Sequence, residues 1–161
     1  MHLLLEKFSP QDFADYFRLV GDAQVMAMIA ERAIPVDEAT RDYQQLLLSD
    51  AAHPDAGYFR ILNAESGEFI GLGKLEIAAD REDTAELGYM ILPAFWGKGI
   101  ASQVARLLVA KAHALPSLRR LVAIIDPDNL PSRKVLINNG FVSREFKTFD
   151  GLPGEVLDLT W

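Results

Sequence analysis

The stretch from Ala85 to Lys111, AELGYMILPAFWGKGIASQVARLLVAK, passes from a strand through a glycine-spaced turn into a helix. Few folds can be built around such a junction. Leu87, Tyr89 and Ile91 alternate with Glu86, Gly88 and Met90, the two-residue period of a strand with one apolar face. That alternation sets Tyr89 opposite Glu86 and assigns it to the core. Pro93 ends the strand. Gly97 and Gly99 flank Lys98, and from Ile100 onwards Val104, Leu107, Leu108 and the aliphatic stem of Lys111 recur at helical spacing. The glycines therefore stand where a helix begins. Backbone without a Cβ lets a bulky anion come close, and the first helical amides are unpaired and partly positive, which makes a phosphate their natural partner. Two glycines alone fit an ordinary tight strand-to-helix connection equally well. The Walker pattern fails for want of a Gly-Lys-Ser/Thr end, and the dinucleotide pattern would need glycine where Ser102 stands.

At 161 residues and half hydrophobic, the chain is long enough for one well-buried core and short for two, so a single domain over residues 1–161 is expected. A net charge of −7 and an isoelectric point near 4.9 argue against a nucleic-acid surface, which would carry a basic stripe. They lean towards a cationic substrate, although solubility explains them as well. The absence of cysteine excludes disulfides, thiol nucleophiles and thiolate metal sites. His2, His53 and His113 lack ligand spacing, so no metal is expected. Leu3 to Leu5 are cut short by Glu6 and Lys7, and no apolar run reaches the roughly 18 residues a membrane span requires. The expectation is a cytoplasmic protein without a membrane partner.

Along the chain, His2 to Phe8 reads as a strand, and Ser9-Pro10 caps a helix whose Phe13, Phe17 and Val20 share a face. Gly21-Asp22 stops it. Val25 to Ala30 is a second apolar segment, and after Pro35 a helix carries Ala39, Tyr43, Leu46 and Leu47 on one side. Tyr58 to Leu62 and Glu68 to Ile77 form a hairpin across Asn63 to Gly67, and Asp80 to Asp83 is a charged turn. Pro116-Ser117 closes the central helix. Leu121 to Ile125 is a continuous apolar run that suits a strand covered on both faces. A capped helix follows from Asn129-Pro131 to Asn139-Gly140, and strands over Phe141 to Phe149 and Glu155 to Trp161 end the chain.

Two segments carry a family resemblance. Trp96-Gly97-Lys98-Gly99-Ile100-Ala101 is similar to the acetyl-CoA loop of the GNAT acetyltransferases, Gln/Arg-x-x-Gly-x-Gly/Ala, with Trp96 in the place of Gln or Arg. That departure, and the preceding Ala85-Glu86-Leu87-Gly88-Tyr89, resemble the RimJ/RimL-like branch of ribosomal-protein N-terminal acetyltransferases. Downstream, Asn129 to Phe141 resembles the superfamily's Asn-x-x-Ser-x-x-Val-x-x-x-x-Gly-Phe motif in the expected order. The resemblance covers the chain from Glu68 onwards.

It implies an α/β (α+β) fold with a mixed, mainly antiparallel sheet flanked by helices, whose two central parallel strands, ending near Leu92 and Asp126, splay apart to admit acetyl-CoA. By the same resemblance the backbone of Ile91 and Leu92 would pair with pantetheine, a free amide near Leu92 would steady the oxyanion, and the amides from Gly97 through Lys98, Gly99, Ile100 and Ala101 to Ser102 would hold the pyrophosphate. Asn129 and Ser132 would line the thioester side. Glu86 is the candidate base, with a structural acceptor as the alternative. The tyrosine many members use to protonate the thiolate is replaced by Leu136, which leaves Ser132 as the local acid. The implied activity is acetyl transfer to a primary amine by direct attack. The acceptor is a protein N-terminus or a small molecule such as an antibiotic or polyamine, and a non-catalytic acyl-CoA-binding domain is the alternative of another class. A homodimer is left open. Proton arithmetic favours an α-amine: at a pKa of about 7.7 to 8.0 roughly a tenth is neutral at pH 7, against about one in 2,500 for a lysine near 10.4.

Overall fold

The computed structural model describes residues 1–161. Seven strands form one sheet: β1 (Leu3–Lys7), β2 (Gly57–Asn63), β3 (Phe69–Ala78), β4 (Arg81–Ile91), β5 (Arg120–Ile125), β6 (Val142–Phe149) and β7 (Leu152–Thr160), in the order β1-β2-β3-β4-β5-β7-β6. Every neighbouring pair is antiparallel except β4 and β5. The helices are α1 (Phe13–Val20), α2 (Ala23–Met26), α3 (Val36–Asp50), α4 (Ile100–His113) and α5 (Leu130–Asn138). None is long and apolar enough to cross a membrane.

Local chemistry starts and stops these elements where the sequence says it should. The Ser9 N–H donates to Asp12 at 2.9 Å while Ser9 Oγ accepts from the Gln11 N–H at 3.3 Å, although the chain makes a short 3-10 turn before α1 begins. Asn63 turns the β2-β3 hairpin by accepting from the Glu65 and Ser66 N–H groups at 2.9 and 3.3 Å. Asp22 caps α2 and Asn129 caps α5 in the same way.

Strand alternation sends side chains to two cores, one on each face of the sheet. On one face Leu75, Leu87, Ile91, Leu121 and Leu157 pack against Val104 and Leu108 of α4 and Leu136 of α5. On the other, Leu62, Phe69, Leu72 and Leu92 pack against Tyr16 and Leu19 of α1 and Tyr43 of α3. Here the sequence reading needs correcting: α1 buries Tyr16, Leu19 and Val20, while Phe13 and Phe17 stack on each other at the half-buried rim. Arg81 to Asp83 belong to β4 rather than to a turn, because the β3-β4 ladder extends to Ala78 and Arg81. Nor is β5 covered on both faces. Leu121 and Ala123 are buried, but no helix lies over Ile124, which is 41% exposed.

The feature that makes a site is the short pairing of β4 with β5. The two strands are in register at Thr84-Arg120, Ala85-Leu121 and Glu86-Val122, and pairing then stops. Beyond Glu86, β4 continues with β3 alone and β5 with β7 alone. The central strands therefore part like a V with Glu86 and Val122 at its apex.

Candidate active site

The loop from β4 to α4 lies at the open end of the V. Gly97 and Gly99 both adopt left-handed φ, 74° and 75°, a conformation that costs other residues roughly 1–2 kcal/mol, and nothing lies within 4 Å of where a Cβ would sit on either. The first amide of this region to find an acceptor is that of Gln103, which donates to Gly99 at 3.2 Å. The N–H groups of Gly97, Lys98, Gly99, Ile100, Ala101 and Ser102 have no protein partner, and no side chain caps the helix. Six unpaired donors at the start of a fourteen-residue helix, under open space, fit the charge and size of a pyrophosphate. Lys98 places its ammonium 5.8 Å from the Phe95 ring centroid. Arg106 adds a second positive charge one turn beyond Ser102 in α4, donating to Ser102 Oγ at 3.4 Å.

Trp96 ties this loop to the sheet. Its indole Nε1–H donates to the Ile91 carbonyl at 2.8 Å while much of the ring stays exposed. The Ile91 carbonyl is thus already taken. The Leu92 amide is taken too, donating to Ile70 at 2.9 Å, so a free amide near Leu92 for the oxyanion is not that of Leu92 itself. The reason is register: the β3-β4 ladder runs on past Ile91, and by alternation the N–H groups of Tyr89 and Ile91 are the ones turned towards the gap. The same parity explains why the Asp83 carbonyl reaches across to the Arg119 N–H at 2.8 Å.

Glu86 and Ser132 stand on opposite faces of the V. Glu86 Oε1 accepts from Lys74 Nζ at 2.7 Å, with both side chains about a quarter to a third exposed. In the ladder Glu86 lies directly across from Glu76, whose carboxylate accepts from the Tyr58 hydroxyl at 3.1 Å. Burial and then Glu76 push the Tyr58 pKa up, so this phenol remains a donor. These residues open into a cavity of about 810 Å³ on the α3 side of the sheet, lined by Asp50, Glu76, Glu82, Glu86, Val122 and Ile124. Asp50 is fixed there by Lys7 at 3.2 Å and by the Tyr58 N–H at 2.9 Å. A groove with this many carboxylates favours a cation.

On the other face, Asn129 Oδ1 accepts from the Ser132 N–H at 3.2 Å, so the motif's two polar residues form one helix cap. Arg133 holds the same turn to the sheet through buried Glu155, at 3.1 and 3.2 Å. Leu136 is fully buried and supplies no hydroxyl. Sequence reasoning missed three things here: the Glu86-Lys74 pair, the acidic groove, and the Tyr89 hydroxyl, which is buried beside Ser132. The first two depend on strand register. Alternation alone had marked Tyr89 as core, and its ring is.

Residues 2–142 match the Acetyltransferase (GNAT) domain family. The chain belongs to the GNAT acetyltransferase family. It is 28% identical over 120 residues to an uncharacterised N-acetyltransferase of Bacillus licheniformis, an alignment covering 74% of this chain and 67% of that protein. Its fold is that of a GNAT acetyltransferase from Bacillus anthracis, with a TM-score of 0.83 at 19% identity over 99% of this chain and 95% of the other. A spermidine N-acetyltransferase from Vibrio cholerae in complex with coenzyme A and spermine has the same fold, with a TM-score of 0.79 at 21% identity over 98% and 95% of the two chains. The chain is thus an acetyl-CoA-dependent N-acetyltransferase by family, and its unpaired loop amides are a fitting cradle for the pyrophosphate of that cosubstrate.

Proposed function

We propose that this GNAT protein transfers the acetyl group of acetyl-CoA directly to a primary amine that enters through the carboxylate-lined groove. The observation that carries this reading is the position of Glu86, at the apex of the V, facing an acidic cavity on the side of the sheet away from the loop amides. In this reading the amides from Gly97 to Ser102 bind the pyrophosphate, and the Tyr89 and Ile91 N–H groups face the thioester oxygen as charge develops on it. Glu86 takes a proton from the incoming ammonium, directly or through water. Lys74 occupies one carboxylate oxygen and orients the other. Ser132, on the opposite wall, lies on the leaving-group side.

The acceptor we infer is an α-amine, on a peptide N-terminus or a small amino compound. The RimJ/RimL-like loop supports it, as does the presence of one carboxylate base at the apex, which suits an amine that loses its proton easily. A second reading, a polyamine-like acceptor, is supported by Asp50, Glu76 and Glu82, which offer more negative charge than one ammonium uses. Competition between a peptide with a free N-terminus and blocked lysines, its mirror image, and a polyamine decides between them. Faster acetylation of the free N-terminus is the expected result. Faster acetylation of the lysine peptide contradicts the α-amine reading, and a preference for the polyamine establishes the second.

A further inference from the structure

Where β4 parts from β5, its gap-facing carbonyls lose the donors that a neighbouring strand would supply. Ile91, the last residue of β4, has its side chain in the core, and by alternation its carbonyl points into the gap rather than towards β3. The donor it receives comes from the same loop: the Trp96 indole Nε1–H, at 2.8 Å. Trp96 is held a second time through its backbone N–H, which donates to the Pro93 carbonyl at 3.1 Å, and the Phe95 N–H donates to Leu92 at 2.9 Å. There the anchoring stops. Beyond Trp96, the amides from Gly97 to Ser102 have no protein partner, and both glycines take left-handed φ with open space around them. The next fixed point is the side chain of Ile100, which is buried in the core under α4.

A span with two glycines has many conformations within reach, so its donors converge on one anion only when both of its ends are fixed beforehand. Burial of Ile100 fixes the helix end. At the strand end, core packing does not do it, because Trp96 is 49% exposed and belongs to neither core cluster. Its directional contact is the bond to Ile91.

We propose that Trp96 is a positioning residue for the cosubstrate: the indole bond to the Ile91 carbonyl holds the strand end of the Gly97–Ser102 segment where its amides meet the pyrophosphate. The proposal rests on the reading of those amides as the pyrophosphate cradle. Trp96 in this role sets the affinity for acetyl-CoA and takes no part in the acyl step.

The variant Trp96→Phe keeps an aromatic ring and removes the donor. Calorimetric titration well below the melting temperature should show acetyl-CoA binding weakened about 3- to 10-fold, the weight of one net hydrogen bond. At saturating acetyl-CoA, kcat should stay near that of the wild type. Benzothienylalanine in place of Trp96 keeps the shape of the indole and puts sulfur where the N–H was. It should weaken binding by the same factor, and it carries the test if the phenylalanine variant does not fold. A purely structural indole predicts another pattern, a lower melting temperature with the acetyl-CoA affinity of the folded protein unchanged. That pattern in the benzothienylalanine protein, or a loss of kcat at unchanged affinity, overturns the proposal alone. A wild type that does not bind acetyl-CoA overturns the cofactor reading and the proposal with it.

Discussion

At the scale of single residues, the ion pair of Glu86 with Lys74 and the proposed base role of Glu86 differ in size. As a partly exposed ion pair it contributes about 0–1 kcal/mol to stability. As the proposed base at the apex, Glu86 would be worth about 100-fold in rate, or roughly 2.7 kcal/mol of transition-state stabilisation. Glu86→Gln separates the two, because the amide keeps the shape and a hydrogen-bond acceptor but cannot take a proton. Steady-state kinetics at neutral pH should show kcat down by about 100-fold or more, with acetyl-CoA affinity and melting temperature nearly unchanged. A lower melting temperature at full kcat would reduce Glu86 to a structural acceptor.

Among the elements, the junction from β4 to α4 was legible in the sequence because everything that makes it lies within a few residues. Pro93 ends the strand, two glycines take left-handed φ, and apolar spacing starts the helix. The same holds for α5, whose Asn129 cap and Ser132 are neighbours in the chain. What could not be read is what depends on partners far away. The occupied Leu92 amide needs Ile70, the Glu86 ion pair needs Lys74, and the exposure of Ile124 follows from no helix lying over it. Even the V had to come from family resemblance, because pairing that stops after Glu86-Val122 leaves no periodic mark in either strand. The loop gives its own prediction. Gly99→Glu and Gly99→Ala impose a similar left-handed strain, but only glutamate adds bulk and negative charge over the unpaired amides. Thermal melts should show both variants destabilised when free and acetyl-CoA stabilising the alanine variant alone. Equal stabilisation of the two would remove the pyrophosphate from this loop.

In the proposed reading the whole molecule keeps its two substrates on opposite sides of one sheet. The α4-α5 side presents unpaired donors and Arg106 to an anion, while the α3 side presents Asp50, Glu76, Glu82 and Glu86 to a cation. A chain with a net charge of −7 can thus still offer a local anion site, because backbone amides supply it without raising the net charge. The two sides meet through the gap that opens beyond the apex of the V, and the central claim is that acetyl groups cross there. A binding module with the same fold would hold acetyl-CoA, gaining about 2.7 kcal/mol of stability at a hundredfold excess over Kd, and stop. The direct measurement is free CoA thiol released from acetyl-CoA across a panel of peptides with free N-termini, lysine peptides and polyamines. The account predicts thiol release that is saturable in at least one amine and negligible without it. Stabilisation by acetyl-CoA with no amine-dependent thiol release from any member of the panel would contradict it.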